Sequence, residues 1–310
     1  MTPASRPAPV AVAILTVMSG IFLLDIMGVF IRILSDTYPA LQLSAMRNLF
    51  GLIPTLLLLW TVSDWHARGR PLIIRRWRLA LLRGAFVIGA QIGFYTALSK
   101  LEFATVSTLA FVSPMIVTAL SVPVLGAHVG PWRWAAVAIG FLGVVAIVRP
   151  GTDAFTIWAL LPLGAALGYA SASVAVRLFD DDVPSPLVNA YSTGSALVLA
   201  TLLTFALAEP VWIQSWRDLG LIIAMGLCGG SGVLCLTIGY RMASPPTLAP
   251  FEYTGILFAF AIGWIVFDEA PFNTLFPGVL LIIGAGLLIV WRERLARSTV
   301  PHPRAKDRLR

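Results

Sequence analysis

Charged residues are scarce in this sequence. Aspartate, glutamate, lysine and arginine make up 12% of the 310 residues, whereas 58% are hydrophobic. Soluble globular chains carry roughly 25% charged residues. The mean hydropathy is +0.87, and apolar runs follow one another along almost the whole chain. This pattern leaves no room for a folded extramembrane domain and predicts an all-α polytopic membrane protein.

Residues suited to covalent or metal chemistry are also few. The sequence has three histidines and two cysteines, and no histidine falls within an apolar run. No HExxH pair of metal ligands and no GxxxxGK[ST] phosphate-binding loop is present. Cys228 and Cys235 are about 10 Å apart along one predicted helix, too far for a disulfide. We therefore expect no metal, no cofactor and no catalytic residue, with an intramembrane enzyme as a remote alternative.

Ten apolar runs are present, and each approaches the roughly 20 residues that cross a bilayer core. Short connections such as 35–40 and 100–103 force consecutive helices to be antiparallel neighbours. We expect ten transmembrane helices near 10–31, 41–62, 79–99, 104–125, 132–148, 156–176, 187–208, 218–240, 246–267 and 274–291.

Lysines and arginines are distributed unevenly between the two sides of these runs. With a cytoplasmic N-terminus, 17 of them fall on the cytoplasmic side and four on the other, and Arg47 falls inside the second run. Positive residues concentrate on the cytoplasmic side of membrane proteins. Both termini are therefore predicted to be cytoplasmic, with 293–310 as a basic tail. Membrane orientation explains the net charge of +7 better than nucleic-acid binding does.

The chain also shows signs of an internal duplication. Arg32 and Pro39 are seven residues apart after the first run, and Arg177 and Pro184 repeat that spacing 145 positions later. We expect two five-helix repeats at 10–149 and 156–292. Because five is odd, the second repeat must enter the membrane from the opposite side. Inverted repeats are typical of secondary transporters, which bind substrate where the repeats meet.

Several motifs resemble those of a known family. The second half contains APFEYT, then FDE, then PGVLLIIGAGLLIVWRE, and the first half contains RGAFVIGAQIGFYTAL, STLAFVSP and FLGVVAIVRPG. Over nearly the whole chain this pattern resembles the EamA-type transporters of the drug/metabolite transporter superfamily. The resemblance implies ten helices in two repeats, a bacterial cytoplasmic (inner) membrane, and movement of small metabolites such as S-adenosylmethionine, riboflavin or amino acids.

One position departs from the family pattern. Family repeats usually close their fourth helix with a Gly-Glu type ending, and the second half keeps an acid there as Glu269. The first half has Gly126, Ala127 and His128 instead. Any structural or gating role of that acid is therefore in doubt for the first repeat.

Two carboxylates fall deep within apolar runs, where a charge is costly and needs a partner or a function. Glu252 lies between Phe251 and Tyr253, and the small residues Gly255, Ala259 and Gly263 follow at helical spacing. Asp25 shares a helix face with Arg32. Each carboxylate is a candidate for the solute pathway or for proton coupling, and an internal ion pair or interhelical hydrogen bond is the structural alternative.

Arg47 is the cation inside a run. Because arginine keeps its proton, it must find an acid, backbone carbonyls or an anionic cargo group. It is therefore either a cargo clamp or a permanent counter-ion of Asp25 or Glu252. Gln91 and Tyr95 form an i, i+4 pair of hydrogen-bonding side chains that suits either a polar cavity wall or an interhelical contact.

Two prolines and one aromatic side chain complete the candidate pathway. Pro114 and Pro250 fall in equivalent runs of the two halves, where each removes a backbone donor and bends its helix beside a possible binding site. Tyr253 could stack on a flat cargo.

These features predict a secondary transporter that moves a small polar organic metabolite by alternating access. Proton linkage is one hypothesis for its drive, and the sequence leaves uptake and export open. The expected partners are a small-molecule substrate and the lipid bilayer, and a homodimer is an open alternative to the monomer.

Overall fold

The structure is a computed structural model that describes residues 10–67, 69, 72, 74–110, 112–126, 130–148, 156–180, 183–243, 248, 251–252, 254–269, 276–285 and 288. These residues form an all-helical bundle, and no β-strand occurs among them.

The helices, numbered in chain order, follow the apolar runs of the sequence. Two short 3-10 turns, Ile157–Ala159 and Val176–Leu178, flank α8, and residues 278–285 form a last helical stretch. The bounds are α1 Val10–Leu34, α2 Ala40–Trp60, α3 Ser63–Ala67, α4 Trp77–Leu98, α5 Phe103–Ala110, α6 Ser113–Leu125, α7 Pro131–Val148, α8 Leu160–Ala175, α9 Ser185–Leu207, α10 Trp216–Met242 and α11 Thr254–Phe267.

Seven helical segments in the described part of the chain are long and apolar enough to cross a bilayer. One of them, Phe103–Leu125, combines α5 and α6, and another, Ile157–Leu178, combines α8 with its flanking turns. Two shorter apolar helices are Trp134–Ile147 and Thr254–Phe267. Every predicted run contains helical residues, which confirms a polytopic α-helical membrane protein, while the count of ten spanning helices stays a prediction.

The two halves of the chain pack against each other through small residues. Helix α10 lies against both α1 and α2, and α4 lies against α8 and α9. At the α2–α10 crossing, a Cβ atom added to Gly230 would lie 2.2 Å from the backbone oxygen of Gly51. Lipid supplies no hydrophobic force that drives helices together, so membrane bundles depend on such close backbone contact. The α2–α10 crossing therefore requires glycine.

An arginine and a glutamate join three elements at one end of the bundle. Arg32 at the end of α1 donates hydrogen bonds to the carbonyls of Leu98 and Leu101, the latter at 2.8 Å. Its guanidinium also lies 3.4 Å from the Glu269 carboxylate. The second Glu269 oxygen accepts a hydrogen bond from the Phe103 amide at 2.7 Å, so Glu269 caps the start of α5 as well.

A related contact is found near the end of α8. Arg177 donates a hydrogen bond to the carbonyl of Ala243 at 2.6 Å, just after α10. Arg32 and Arg177 are 145 positions apart, and their acceptors Leu98 and Ala243 are separated by the same number. Both arginines therefore tie the end of one helix to the end of another at matching positions of the two halves.

We predict that Gly230→Ala destabilises the bundle, because the new methyl group would clash with the backbone of α2 rather than with a movable side chain. The expected loss is about 1–3 kcal/mol, the usual cost of overpacking. Gly220→Ala on the same helix is the matched control, since nothing lies within 4 Å of its added Cβ atom. Thermal unfolding in detergent measures both, and equal melting temperatures for the two variants would contradict the prediction.

Candidate functional site

A cavity of about 190 Å³ lies inside the bundle. Its walls come from α1, α2, α4, α5, α6, α8 and α10, together with the residues that precede α11. Six of the sequence-predicted residues line this one cavity: Asp25, Arg47, Gln91, Tyr95, Pro114 and Glu252. The other two, Pro250 and Tyr253, lie outside the described residues. Contact between the six and a transported solute stays a prediction.

Arg47 is fully enclosed by protein, with 2% of its surface exposed. Its guanidinium donates hydrogen bonds to the Gly229 carbonyl at 2.6 Å and to the Asn48 side-chain oxygen at 2.9 Å. Both acceptors are neutral, and Nε has no partner in the described part of the chain. The prediction that Arg47 is a permanent counter-ion of Asp25 or Glu252 is therefore wrong for this structure, and its charge faces the cavity uncompensated.

Gln91 belongs to a buried hydrogen-bond network that supports Arg47. Its side-chain oxygen accepts hydrogen bonds from Ser44 at 2.5 Å and from Asn48 at 2.8 Å. Asn48 in turn accepts the hydrogen bond of the Arg47 guanidinium. Gln91 thus links α4 to α2 while it lines the cavity, which combines the two roles that the sequence left open.

Asp25 lines the cavity from α1 and is 8% exposed. One of its carboxylate oxygens, Oδ2, has no hydrogen-bond partner among the described residues. Arg32, two turns further on, pairs with Glu269 instead. Because an internal ion pair with Arg32 is not formed, the Asp25 carboxylate remains available to a group that enters the cavity.

Glu252 faces the interior of the bundle rather than lipid. Its carboxylate accepts a hydrogen bond from the Tyr240 hydroxyl on α10, and both residues line the cavity. Arg47, one of the candidate partners, donates its hydrogen bonds to Gly229 and Asn48 instead. Within the same apolar stretch, Gly263 approaches Ala104 of α5, with an added Cβ atom 3.5 Å from the alanine Cβ. Gly263 therefore lies in van der Waals contact with α5.

Pro114 marks an interruption of the fourth apolar run. The run consists of two helices, α5 and α6, and Pro114 occupies the first turn of the second. Ser107, Ala110 and Ser113 line the cavity around this break together with Pro114. Proline lacks a backbone donor and is tolerated in the first turn of a helix, which fits its place at the start of α6.

Arg83 is a cavity residue that the sequence analysis missed. It is one of the 17 cations assigned to the cytoplasmic side, yet it lies within α4, is 5% exposed and lines the cavity. Its Nε donates a hydrogen bond to the Ala172 carbonyl at 3.1 Å. The available signal was the i+4 spacing of Arg83, Val87, Gln91 and Tyr95, which places all four on one helix face.

The remaining polar lining comes chiefly from α8 and α10. Tyr169 and Ser173 on α8 and Thr237 on α10 all face the cavity. Within the described residues, no three histidine, cysteine, aspartate or glutamate side chains come together as a metal site. The lining therefore suits binding of an organic solute through hydrogen bonds and charge.

Ionisable residues around an interior cavity of a helical membrane bundle are typical of solute and ion pathways. The model of the EamA-like transporter family matches this chain twice, at residues 11–149 and 156–291. The chain belongs to the EamA-like transporter family, and the resemblance described from its motifs is confirmed.

Curated relatives are named transporters of different solutes. The riboflavin transporter of Brucella anthropi is 28% identical over 66% of this chain and 73% of the relative. The S-adenosylmethionine uptake transporter of Rickettsia prowazekii is 23% identical over 71% of this chain and 74% of the relative. The pseudopaline exporter of Pseudomonas aeruginosa is 26% identical over 84% of this chain and 90% of the relative.

A crystal structure shares the fold. It superimposes with a TM-score of 0.68 at 19% identity, and the match covers 92% of this chain and 99% of the other. At this identity the likeness shows the fold alone.

We predict that Gln91→Leu destabilises the protein by about 1–3 kcal/mol, because it removes the acceptor of Ser44 and Asn48 and leaves buried donors unpaired. Ser171→Ala is the control, since this exposed serine bonds only to the Leu167 carbonyl of its own helix. Thermal unfolding of both variants in detergent checks the expectation. If Gln91→Leu has the same melting temperature as the parent protein, the network contributes nothing to stability.

Proposed function

We propose that this protein is a secondary transporter or facilitator that moves a small polar organic metabolite across the bacterial cytoplasmic membrane by alternating access. The observation that carries the proposal is the interior cavity, in which charged side chains from both halves of the chain face a common space without forming ion pairs with one another. Family membership and the names of the relatives favour transport over catalysis.

The proposed architecture is ten transmembrane helices in two inverted repeats, 10–149 and 156–292, followed by a basic tail at 293–310. Two matches of one family model support the duplication. The matching contacts of Arg32 and Arg177 at equivalent positions support it as well. In this arrangement both termini are cytoplasmic, as the distribution of positive residues favours. A homodimer is compatible with this arrangement, and no contact described here requires one.

Alternating access requires that each end of the cavity can be closed in turn. At one end, Arg32, Glu269 and the start of α5 are joined by an ion pair and a cap, and Ser107 of α5 lines the cavity directly behind this contact. We propose that this contact, here called the Arg32–Glu269 latch, holds that end shut while cargo is exchanged at the other.

The cargo and direction are proposed only as a class. The relatives are named as a riboflavin transporter, an S-adenosylmethionine uptake transporter and a pseudopaline exporter, so the shared fold serves several polar organic solutes and both directions. A thermal-shift screen of purified protein against a metabolite panel identifies a cargo, since a ligand at 100 times its dissociation constant stabilises by about 2.7 kcal/mol. If no compound of the panel stabilises the protein and none is transported in proteoliposomes, the proposal is contradicted.

We predict that accumulation of the identified solute in proteoliposomes is greater with an imposed pH gradient than without one. Asp25 and Glu252, the two carboxylates of the cavity, are the groups that can exchange a proton there. Asp25→Asn and Glu252→Gln should each reduce or abolish the difference, whereas Asp36→Asn, in an exposed loop, should retain it. Identical accumulation by the parent under both conditions would rule out proton coupling.

We also predict that Glu269→Gln weakens the Arg32–Glu269 latch. The experiment uses a Cys228→Ser, Cys235→Ser background with Ser107→Cys as reporter, labelled by a membrane-impermeant maleimide from the side where α5 begins. Loss of a partly exposed ion pair is worth up to about 1 kcal/mol, so labelling should accelerate by up to about fivefold. Glu102→Gln, an exposed neighbour with the same charge change, is the control. Equal rates for the two variants would contradict the latch.

A further inference from the structure

Hydrogen-bonding atoms without partners are concentrated in the cavity. The described part of the chain contains six buried side-chain atoms with no hydrogen-bond partner, and five of them belong to residues that line the cavity. Each of these residues is more than nine-tenths buried. The five atoms are Asp25 Oδ2, Arg47 Nε, Arg83 Nη1, Tyr95 Oη and Ser107 Oγ. Unpaired polar atoms are costly away from water, so their clustering indicates a place that a ligand completes.

Most of the unpaired atoms are hydrogen-bond donors. The two arginine nitrogens can only donate, and the two hydroxyl groups can donate as well as accept. A carboxylate or phosphate offers several acceptor oxygens in a small space, and guanidinium groups bind such oxyanions with charge-assisted hydrogen bonds. The donor excess therefore favours a ligand that carries an oxyanion.

The charges of the cavity are balanced but not paired. Arg83 directs its other nitrogens to neutral oxygens of Ala172 and Thr237, just as Arg47 binds neutral acceptors. Against these two cations stand two carboxylates, and the unpaired oxygen of Asp25 can only accept. A purely anionic ligand would leave Asp25 without a cationic or donor partner, and a purely cationic one would leave both arginines without an anion.

Arg47 and Asp25 come from helix segments that meet near the same level of the bundle. The side chains of Met27 and Arg47 converge on Gly229, where an added Cβ atom would lie 2.5 Å from the methionine sulfur and 2.6 Å from Nε. Asp25, two residues before Met27 on α1, lines the same cavity as Met27 and Arg47. Tyr95 lines this cavity as well. A small ligand can therefore reach a cation, a hydroxyl donor and a carboxylate together.

We infer that the cavity binds a small zwitterion whose oxyanion contacts Arg47 and Tyr95 and whose cationic group faces Asp25. Arg83, three i+4 steps before Tyr95 on α4 and roughly 18 Å away along the axis, is a second oxyanion contact along the path. Apolar side chains such as Leu24, Val87 and Phe94 enclose the rest of the solute. This inference rests on the proposed transport function and names its substrate class.

Matched compounds test the charge requirement. Alanine, leucine and phenylalanine are each compared with the corresponding amide, deaminated acid and aminophosphonic acid by thermal shift of the purified full chain. We expect the free amino acids or the aminophosphonic acids to stabilise the protein, and the amides and deaminated acids not to do so. Whichever of the two zwitterions stabilises more shows whether the site prefers a carboxylate or a phosphate-type group. Equal stabilisation by amide and amino acid, or by none of the forms, overturns the inference.

Variants locate the two charged contacts. Arg47→Gln, Tyr95→Phe and Asp25→Asn should each weaken binding of the stabilising zwitterion by about tenfold or more, because each loses a hydrogen bond to a charged group. Arg177→Gln and Tyr191→Phe are the matched controls, since neither side chain lines the cavity. Tyr95→Phe removes an unpaired hydroxyl, so it tests the site even where an arginine variant does not fold. Unchanged affinity in Tyr95→Phe and Asp25→Asn overturns the assignment.

Transport separates this inference from the function on which it rests. In Arg83→Gln, the rate of uptake of the stabilising zwitterion into proteoliposomes should fall by a larger factor than the binding affinity for that compound. The reason is that Arg83 lies along the path beyond the Arg47 contact. If a neutral or singly charged metabolite is bound and transported instead, the transport function stands and the zwitterion inference fails.

Discussion

The structure depends on how a buried guanidinium is accommodated inside a lipid-embedded bundle. Arg47 cannot lose its proton and is almost completely buried, so the protein itself must supply acceptors. It does so with one backbone carbonyl, from Gly229, and one amide side chain, from Asn48. Because neither acceptor carries charge, the hydrogen bonds are satisfied only in part and the positive field is left intact. Gln91, Ser44 and the close α2–α10 crossing all serve to hold this arrangement.

This solution differs from the simpler one of pairing the arginine with a carboxylate. A permanent ion pair would satisfy both charged groups within the protein and leave neither of them available to another group. Here Asp25 and Glu252 remain separate from Arg47, and Glu252 is held by a tyrosine hydroxyl. Opposite charges are thus kept apart within one cavity, which costs stability and preserves binding capacity.

Much of the fold could be predicted from the sequence because the bilayer imposes length and composition on each helix. The runs at 10–31 and 218–240, for example, differ from α1 and α10 by no more than three residues at either end. Cavity residues could be predicted where a polar side chain interrupts an apolar run, as Asp25 and Gln91 do. Arg83 was missed because a cation near a helix end is normally a flanking charge, and only its spacing to Gln91 indicates the cavity.

Hydrogen-bond partners could not be predicted in the same way. Periodicity places a residue on a helix face but does not state which neighbouring helix that face meets, so the sequence could not assign a partner to Glu252. The choice of Tyr240 follows from the packing of α10 beside the start of the ninth run. Likewise, the pairing of Arg32 with Glu269 joins residues 237 positions apart, beyond the reach of any local pattern.

The bare contact between Gly51 and Gly230 constrains how the two halves can move. Backbone meets backbone there, with no flexible side chain between the helices to accommodate sliding. Translation along either axis would bring bulkier neighbours such as Phe50 into the gap, whereas rotation about the crossing point keeps the two glycines opposed. The crossing of α2 and α10 therefore fixes the separation of these two helices, and Arg47, one turn from Gly51, is held close to that fixed point.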